Sequence, residues 1–140
     1  MQTFMSEFAP RDRAPRILIV EDEMFIGLEL SMIVEEAGFE PIGPVADLDG
    51  AHTLLSTERP DIAILDINLG PNVTSAPVAE TLSALAVPFV YLSGYSANYV
   101  RDNMPPAPLL SKPVDPNAVL SEIRRALTRE TDAGGSPQEA

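Results

Sequence analysis

Cysteine is absent from all 140 residues, and histidine occurs once, at position 52. The first absence excludes disulfides and thiolate metal sites. The second leaves imidazole metal clusters and Ser-His-Asp chemistry without enough parts. No apolar run is long enough to cross a bilayer, and the opening residues MQTFMSEFAPRDRAPR mix charges with prolines where a signal peptide needs a continuous apolar core. The expectation is a soluble cytoplasmic protein with no membrane partner. Basic residues are scarce: 9 Lys and Arg stand against 21 Asp and Glu, for a formal net charge of −12 with no visible basic cluster. Duplex DNA would repel such a chain, so no nucleic-acid partner is expected.

What is present is ordinary globular material, 45% apolar and 21% charged, in a length that suits one domain with a real core. Residues 1–14 and 129–140 carry no hydrophobic period and read as tails around a domain at 15–128. Arg16 to Val20 is a continuous β-branched run, the mark of a strand buried on both faces. Met24 to Ala37 has a helical period through Ile26, Leu30, Ile33, Val34 and Ala37, and Gly38 stops it. Phe39 to Val45 holds Pro41 and Pro44, which restricts it to a sheet edge.

Asp47 caps a helix to about Thr57, and Asp61 to Leu65 is a second buried strand ending at Asp66. A loop then leads to a helix from about Pro77 to Leu85, and a strand from Pro88 to Leu92 ends at Ser93-Gly94. Ser96 to Asn103 is a poor helix stopped by Pro105-Pro106. Leu109-Leu110 is a short strand, and Asp115 caps a last helix that begins at Pro116 and gathers Val119, Leu120, Ile123, Ala126 and Leu127 on one face. Five β-α alternations predict an α/β fold: a doubly wound, flavodoxin-like, five-stranded parallel sheet of order 2-1-3-4-5 with helices on both faces.

In such a sheet ligands bind beyond the carboxyl ends of the strands, where the strand order reverses. Glu21-Asp22, Asp66, Ser93 and Lys112 all fall at that edge. Two carboxylates about 4 Å apart repel by about 4 kcal/mol at an effective dielectric near 20. A divalent cation and Lys112 would offset this, and among cations a carboxylate site prefers a hard one such as Mg²⁺. A carboxylate nucleophile, Mg²⁺, an ammonium and a hydroxyl are together the requirements of phosphoryl transfer.

The segments Ile19-Val20-Glu21-Asp22, Ile64-Leu65-Asp66-Ile67-Asn68, Leu92-Ser93-Gly94 and Leu110-Ser111-Lys112-Pro113 resemble the receiver domain of two-component response regulators, over about residues 15 to 128. The resemblance implies a Mg²⁺-dependent phosphoacceptor at Asp66. It implies a metal held by Asp22, Asp66 and the carbonyl of Asn68, with Glu21 acting through water. It further implies that Ser93 and Lys112 contact the phosphoryl group and that the Lys112-Pro113 bond is cis. Leu109 stands where the family commonly places an aromatic switch. Phe89-Val90-Tyr91-Leu92-Ser93-Gly94-Tyr95 is similar to the Phe-Ala-Thr-Gly-Tyr subgroup of stand-alone receivers, found largely in alphaproteobacteria, which implies a relay role for Tyr95 and a setting in the general stress response. A histidine kinase or phosphotransfer protein is the implied donor. With so few residues after the last helix, output is expected through binding to a downstream regulator or as a phosphate sink.

Each residue taken alone has a plainer reading: Asp22 as a helix cap with Glu23 in the first turn, Asp66 and Ser93-Gly94 as turns, Lys112 as a solvated lysine. They carry weight jointly, as four strand ends in the expected order. Phe25, Leu28 and Met32 form a second stripe on the first helix, read either as a docking patch for a kinase helix or as a surface packed on the last helix. A phosphatase of haloacid-dehalogenase type would need Asp-x-Asp where the chain has Asp66-Ile67-Asn68, and a flavodoxin would need a phosphate loop where it has Glu21-Asp22-Glu23. A receiver belonging to a hybrid kinase is the remaining alternative.

Overall fold

The β-branched residues Ile17, Ile19 and Val20 suit a pleated surface covered on both sides, and they form the centre of strand β1, Arg16–Val20. In the computed structural model the described residues are 13–94, 100 and 102–135. After β1 follow α1 (Met24–Glu36), β2 (Glu40–Val45), α2 (Leu48–Thr57), β3 (Ile62–Asp66), α3 (Ala76–Ala84), β4 (Phe89–Ser93), β5 (Leu109–Ser111) and α4 (Pro116–Gly135). The strands form one sheet of order β2-β1-β3-β4-β5, and every pairing is parallel. The chain therefore winds in one direction from β1 to the β2 edge and in the other from β3 to β5, which puts the reversal between β1 and β3.

Side-chain alternation along each strand divides the core in two. Leu18, Val20, Ala63, Leu65, Phe89 and Tyr91 meet Ala51 of α2 and Val78, Ala79 and Leu82 of α3. The intervening Ile17, Ile19, Ile62, Ile64, Val90 and Leu92 meet Leu30, Ile33 and Val34 of α1 and Val119, Ile123 and Ala126 of α4. Central strands β3 and β4 are buried at every position, whereas β2 is largely exposed, as its prolines require of an edge. Each fully buried Leu or Ile contributes about 1.5–3 kcal/mol. At the amino-terminal edge Arg16 is pinned from both sides: its N–H donates to Asp61 Oδ2 at 2.7 Å and its guanidinium meets Glu58 at 2.6 Å.

The expected caps on α2 and α4 are present. Asp47 Oδ1 accepts from the Gly50 N–H at 2.8 Å, and Asp115 Oδ1 accepts from the Asn117 N–H at 3.1 Å. Gly38, at φ +94°, ends α1 in the left-handed conformation that favours glycine. Asp22 is not the cap of α1. That position belongs to Glu23, whose side chain makes no capping bond. The last helix runs to Gly135, past the expected end near residue 128, because Arg129-Glu130-Thr131-Asp132-Ala133 contains no proline and no glycine to stop it. Of the weak helix expected over Ser96 to Asn103, residues 96–99 and 101 lie outside the described residues.

β2 does not run straight. Its register against β1 shifts between Leu18 and Val20, and the shift coincides with Gly43 at φ +93°. A Cβ at Gly43 would stand 2.8 Å from the Val45 nitrogen and 2.9 Å from the Ile19 carbonyl oxygen. This bulge sends the Val45 carbonyl to accept the Glu21 N–H at 2.9 Å, so an edge strand fixes the first acidic residue after β1. Gly43→Ala is accordingly expected to cost about 2–4 kcal/mol, read as a lower urea midpoint with unchanged slope.

Candidate functional site

The carboxyl ends of β1, β3, β4 and β5 open onto a cleft of about 810 Å³ lined by Asp22, Glu23, Asp66, Asn68, Ser93 and Lys112, with the Gly70–Asn72 turn and Thr74 as its far wall. Asp66 is the last residue of β3, Ser93 the last of β4, and Lys112 follows β5; Glu21 and Asp22 follow β1. Parallel pairing brings these ends level: Asp66 lies beside Leu92, and Ser93 beside Ser111. The Lys112 N–H donates to the Ser93 carbonyl at 3.0 Å, continuing the ladder one residue past β5. The Lys112-Pro113 bond is cis, as is Gly43-Pro44.

Lys112 is the chain's only lysine. Its Nζ lies 3.3 Å from Asp66 Oδ2, 3.4 Å from Glu21 Oε2 and 3.7 Å from Glu23 Oε1. The Asp66 and Glu21 side chains are 5% and 1% exposed, whereas that of Glu23 is 62% exposed. Glu21 Oε2 also accepts the Glu23 N–H at 3.1 Å. Two buried carboxylates thus share one ammonium, with a third at the rim.

The charge balance shows in the acidities. Burial, reinforced by the hydrogen-bonding and charge of Glu21 and opposed by Lys112, pushes Asp66 from the ordinary 3.8 up to about 8. For Lys112, burial works against the charged form, but Asp66 and Glu21 outweigh it and hold the ammonium above its usual range. One lysine does not neutralise the cluster.

A cation fits what remains. Carboxylate oxygens of Glu21, Asp22 and Asp66 lie within 4.8 Å of one another, and Glu21 Oε1 is buried with no hydrogen-bond partner among the described residues. An all-oxygen set of this charge suits a hard divalent ion that keeps part of its water. Asn68 lines the same cleft, and the bridge between Asn68 and Thr74, with Leu69 N–H donating to the Val73 carbonyl at 2.9 Å, folds the following loop back over the site.

Of the residues singled out in the sequence, Asp22, Asp66, Asn68, Ser93 and Lys112 line one cleft, and Glu21 lies buried beside Asp66 and Lys112. The sequence missed Glu23 as a partner of Lys112, because an acid beside two acids gives no sign of which way its side chain turns. It also missed the wall at Gly70, Pro71, Asn72 and Thr74; their turn-forming residue types were a signal of loop geometry, with Asn72 at φ +60°. Leu109 is half-buried and packs against the Tyr91 side of the core. Tyr95 lies outside the described residues. Phe25, Leu28 and Met32 are 78%, 48% and 58% exposed, so packing of this stripe on the last helix is ruled out.

The acidic cleft therefore sits at the reversal point of the sheet. No protein-family model matches the chain. It is 32% identical to the phyllosphere-induced regulator PhyR of Methylorubrum extorquens over 119 residues, which is 83% of this chain and 45% of PhyR. The solution structure of SdrG from Sphingomonas melonis Fr1 is 36% identical, with a TM-score of 0.70 over 81% of this chain and 97% of SdrG. The receiver domain of the PhyR response regulator from Erythrobacter litoralis is 25% identical, with a TM-score of 0.75 over 84% of this chain and 93% of that domain. The chain belongs to the response-regulator receiver (CheY-like) domains. It spans about half the length of the curated relatives it matches. Among the described residues no helix is long and apolar enough to cross a membrane.

The raised pKa of Asp66 sets a direction for pH dependence. The folded chain holds that proton up to about pH 8 and the unfolded chain releases it near 3.8, so without metal the stability falls as pH rises between those values. In buffer stripped of divalent cations, Asp66→Asn is expected to raise Tm by about 3–6 °C near pH 8.5, where the native carboxylate is charged, and by less near pH 6. Mg²⁺ is expected to raise the Tm of the unaltered chain more than that of the variant, a difference that differential scanning calorimetry reads directly.

Proposed function

We propose that this receiver accepts a phosphoryl group on Asp66 from the phosphohistidine of a histidine kinase or phosphotransfer protein. The observation that carries the reading is a buried Asp66 carboxylate 3.3 Å from the Lys112 ammonium on the floor of an open cleft. In the transfer, an Asp66 oxygen forms a bond to phosphorus as the phosphorus–nitrogen bond of the donor breaks, and the departing imidazole keeps that electron pair. Lys112 gives up a carboxylate contact to pair with a phosphoryl oxygen, and the Ser93 hydroxyl donates to another. Asp22, Asp66 and the Asn68 carbonyl would hold Mg²⁺, the ion receiver domains generally bind, with Glu21 acting through water. When bound, the ion neutralises charge on the transferring oxygens. The chain's own residues hold the acceptor in place and supply the compensating proton-bearing groups.

The finer assignment is a stand-alone receiver of the Phe-Ala-Thr-Gly-Tyr subgroup, signalling through protein–protein contacts or serving as a phosphate sink, in an alphaproteobacterial stress response. It rests on the segment Tyr91-Leu92-Ser93-Gly94-Tyr95 and on Leu109 in place of an aromatic residue. In this reading Tyr95 takes over the relay. The donor's helix docks on Phe25, Leu28 and Met32, an exposed apolar groove of about 380 Å³ on α1 that starts three residues after Asp22 and is flanked by Glu29 and Glu36.

Incubation with acetyl phosphate and Mg²⁺ is expected to add a single phosphoryl mass to the intact chain, and Asp66→Asn to abolish the adduct. An adduct that persists in the variant overturns the assignment. Met32→Glu is expected to slow transfer from a phosphorylated kinase about tenfold or more while leaving Tm unchanged; stopped-flow transfer and thermal melts together check it.

A further inference from the structure

Of the three carboxylates on Lys112, Glu23 is the exposed one, and it lines the mouth of the cleft through which any donor must pass. We infer that Glu23 is a positioning and donor-selecting residue: it holds Lys112 at rest and screens Asp66 against small, highly charged phosphodonors. The inference rests on the phosphoacceptor reading of Asp66 and extends it.

Three observations support it. The ammonium that a phosphoryl oxygen must capture is already in contact with Asp66, Glu21 and Glu23, so an incoming anion competes for it. Glu21 cannot yield easily, because it is buried and also accepts the Glu23 N–H. The Glu23 carboxylate is free to swing into water, where it is well solvated, so it is the partner that Lys112 exchanges. Until it does, its charge repels a dianion arriving from the cleft mouth, a repulsion that added salt screens beyond about 10 Å at 0.1 M. A donor delivered by a docked protein is held close to Asp66 and does not rely on diffusion through that field. The N-terminal position of Glu23 on α1 is no alternative explanation, since its side chain makes no cap bond there.

The test is Glu23→Gln, which keeps the backbone bond to Glu21 and removes the charge. The rate of adduct formation on the intact chain is measured with Mg²⁺ and either acetyl phosphate, a dianion, or phosphoramidate, whose protonated nitrogen leaves it less negative. At low ionic strength the acetyl phosphate rate is expected to rise about three- to tenfold, with a smaller rise for phosphoramidate and both reduced by salt. Asp49→Asn, which removes an equal charge outside the cleft, is expected to change neither rate. Because Lys112 is the only lysine, ¹³Cε-lysine labelling yields a single reporter, and its resonance is expected to move in Glu23→Gln. An unmoved Lys112 signal, an acetyl phosphate rate within a factor of about two of the unaltered chain, or equal gains with both donors that salt leaves intact, each overturns the inference. Failure of the unaltered chain to form any adduct on Asp66 overturns the phosphoacceptor reading itself, and this one with it.

Discussion

One ammonium among buried carboxylates organises this protein. Glu21 and Asp66 are out of water at the end of adjacent strands, and Lys112 alone stands between them. Buried ion pairs recover their desolvation cost only when geometry and hydrogen bonding are good, and here the balance is two acids to one base even before Asp22 and Glu23 are counted. The raised pKa of Asp66 and the unpartnered Glu21 oxygen are two expressions of that imbalance. A site left short of positive charge is one that gains by admitting it, and a hard divalent cation among these oxygens would supply it.

The rest of the fold keeps that imbalance from relaxing. Strand ends cannot drift apart when each is the terminus of a strand buried on both faces, and β3 and β4 have no exposed position. The tie from Val45 to Glu21 and the close approach at Gly43 hold the acidic residues after β1 from the sheet edge. Tyr91 shows how far the core is committed: its ring is fully buried, packs edge-on against Phe89, and its hydroxyl donates to the Pro105 carbonyl at 2.6 Å, fixing the segment that leads into β5 and so to Lys112. The base of the cleft is tightly packed and its rim is open, so Asp66 is buried yet lies at the floor of a cleft that reaches the surface.

The contrast between the two faces of α1 follows the same division. Leu30, Ile33 and Val34 anchor the helix on the sheet, while Phe25, Leu28 and Met32 remain uncovered beside the cleft. An exposed phenylalanine in a chain carrying a net charge of −12 stands out, since the acidic surface otherwise keeps the molecule well solvated. In the function proposed above, its placement next to the acidic residues is where a donor protein would dock to present a phosphorylated side chain.

Much of this was legible in the residues themselves. Strands announced themselves as unbroken β-branched runs, helices by period and by Asp47, Asp115 and Gly38 at their ends, and the parallel α/β class by the β-α alternation, because local propensity and periodicity depend only on neighbours in the chain. The residue types at the strand ends depend on nothing more, so Glu21, Asp22, Asp66, Ser93 and Lys112 were identifiable as a set. Side-chain direction and burial were not. That Glu23 turns to Lys112 while Asp22 caps nothing, that Phe25, Leu28 and Met32 face outward, that α4 continues to Gly135, and that a bulge at Gly43 ties β2 to Glu21 were settled by packing between segments far apart in sequence, where sterics and desolvation act on pairs that no local pattern records.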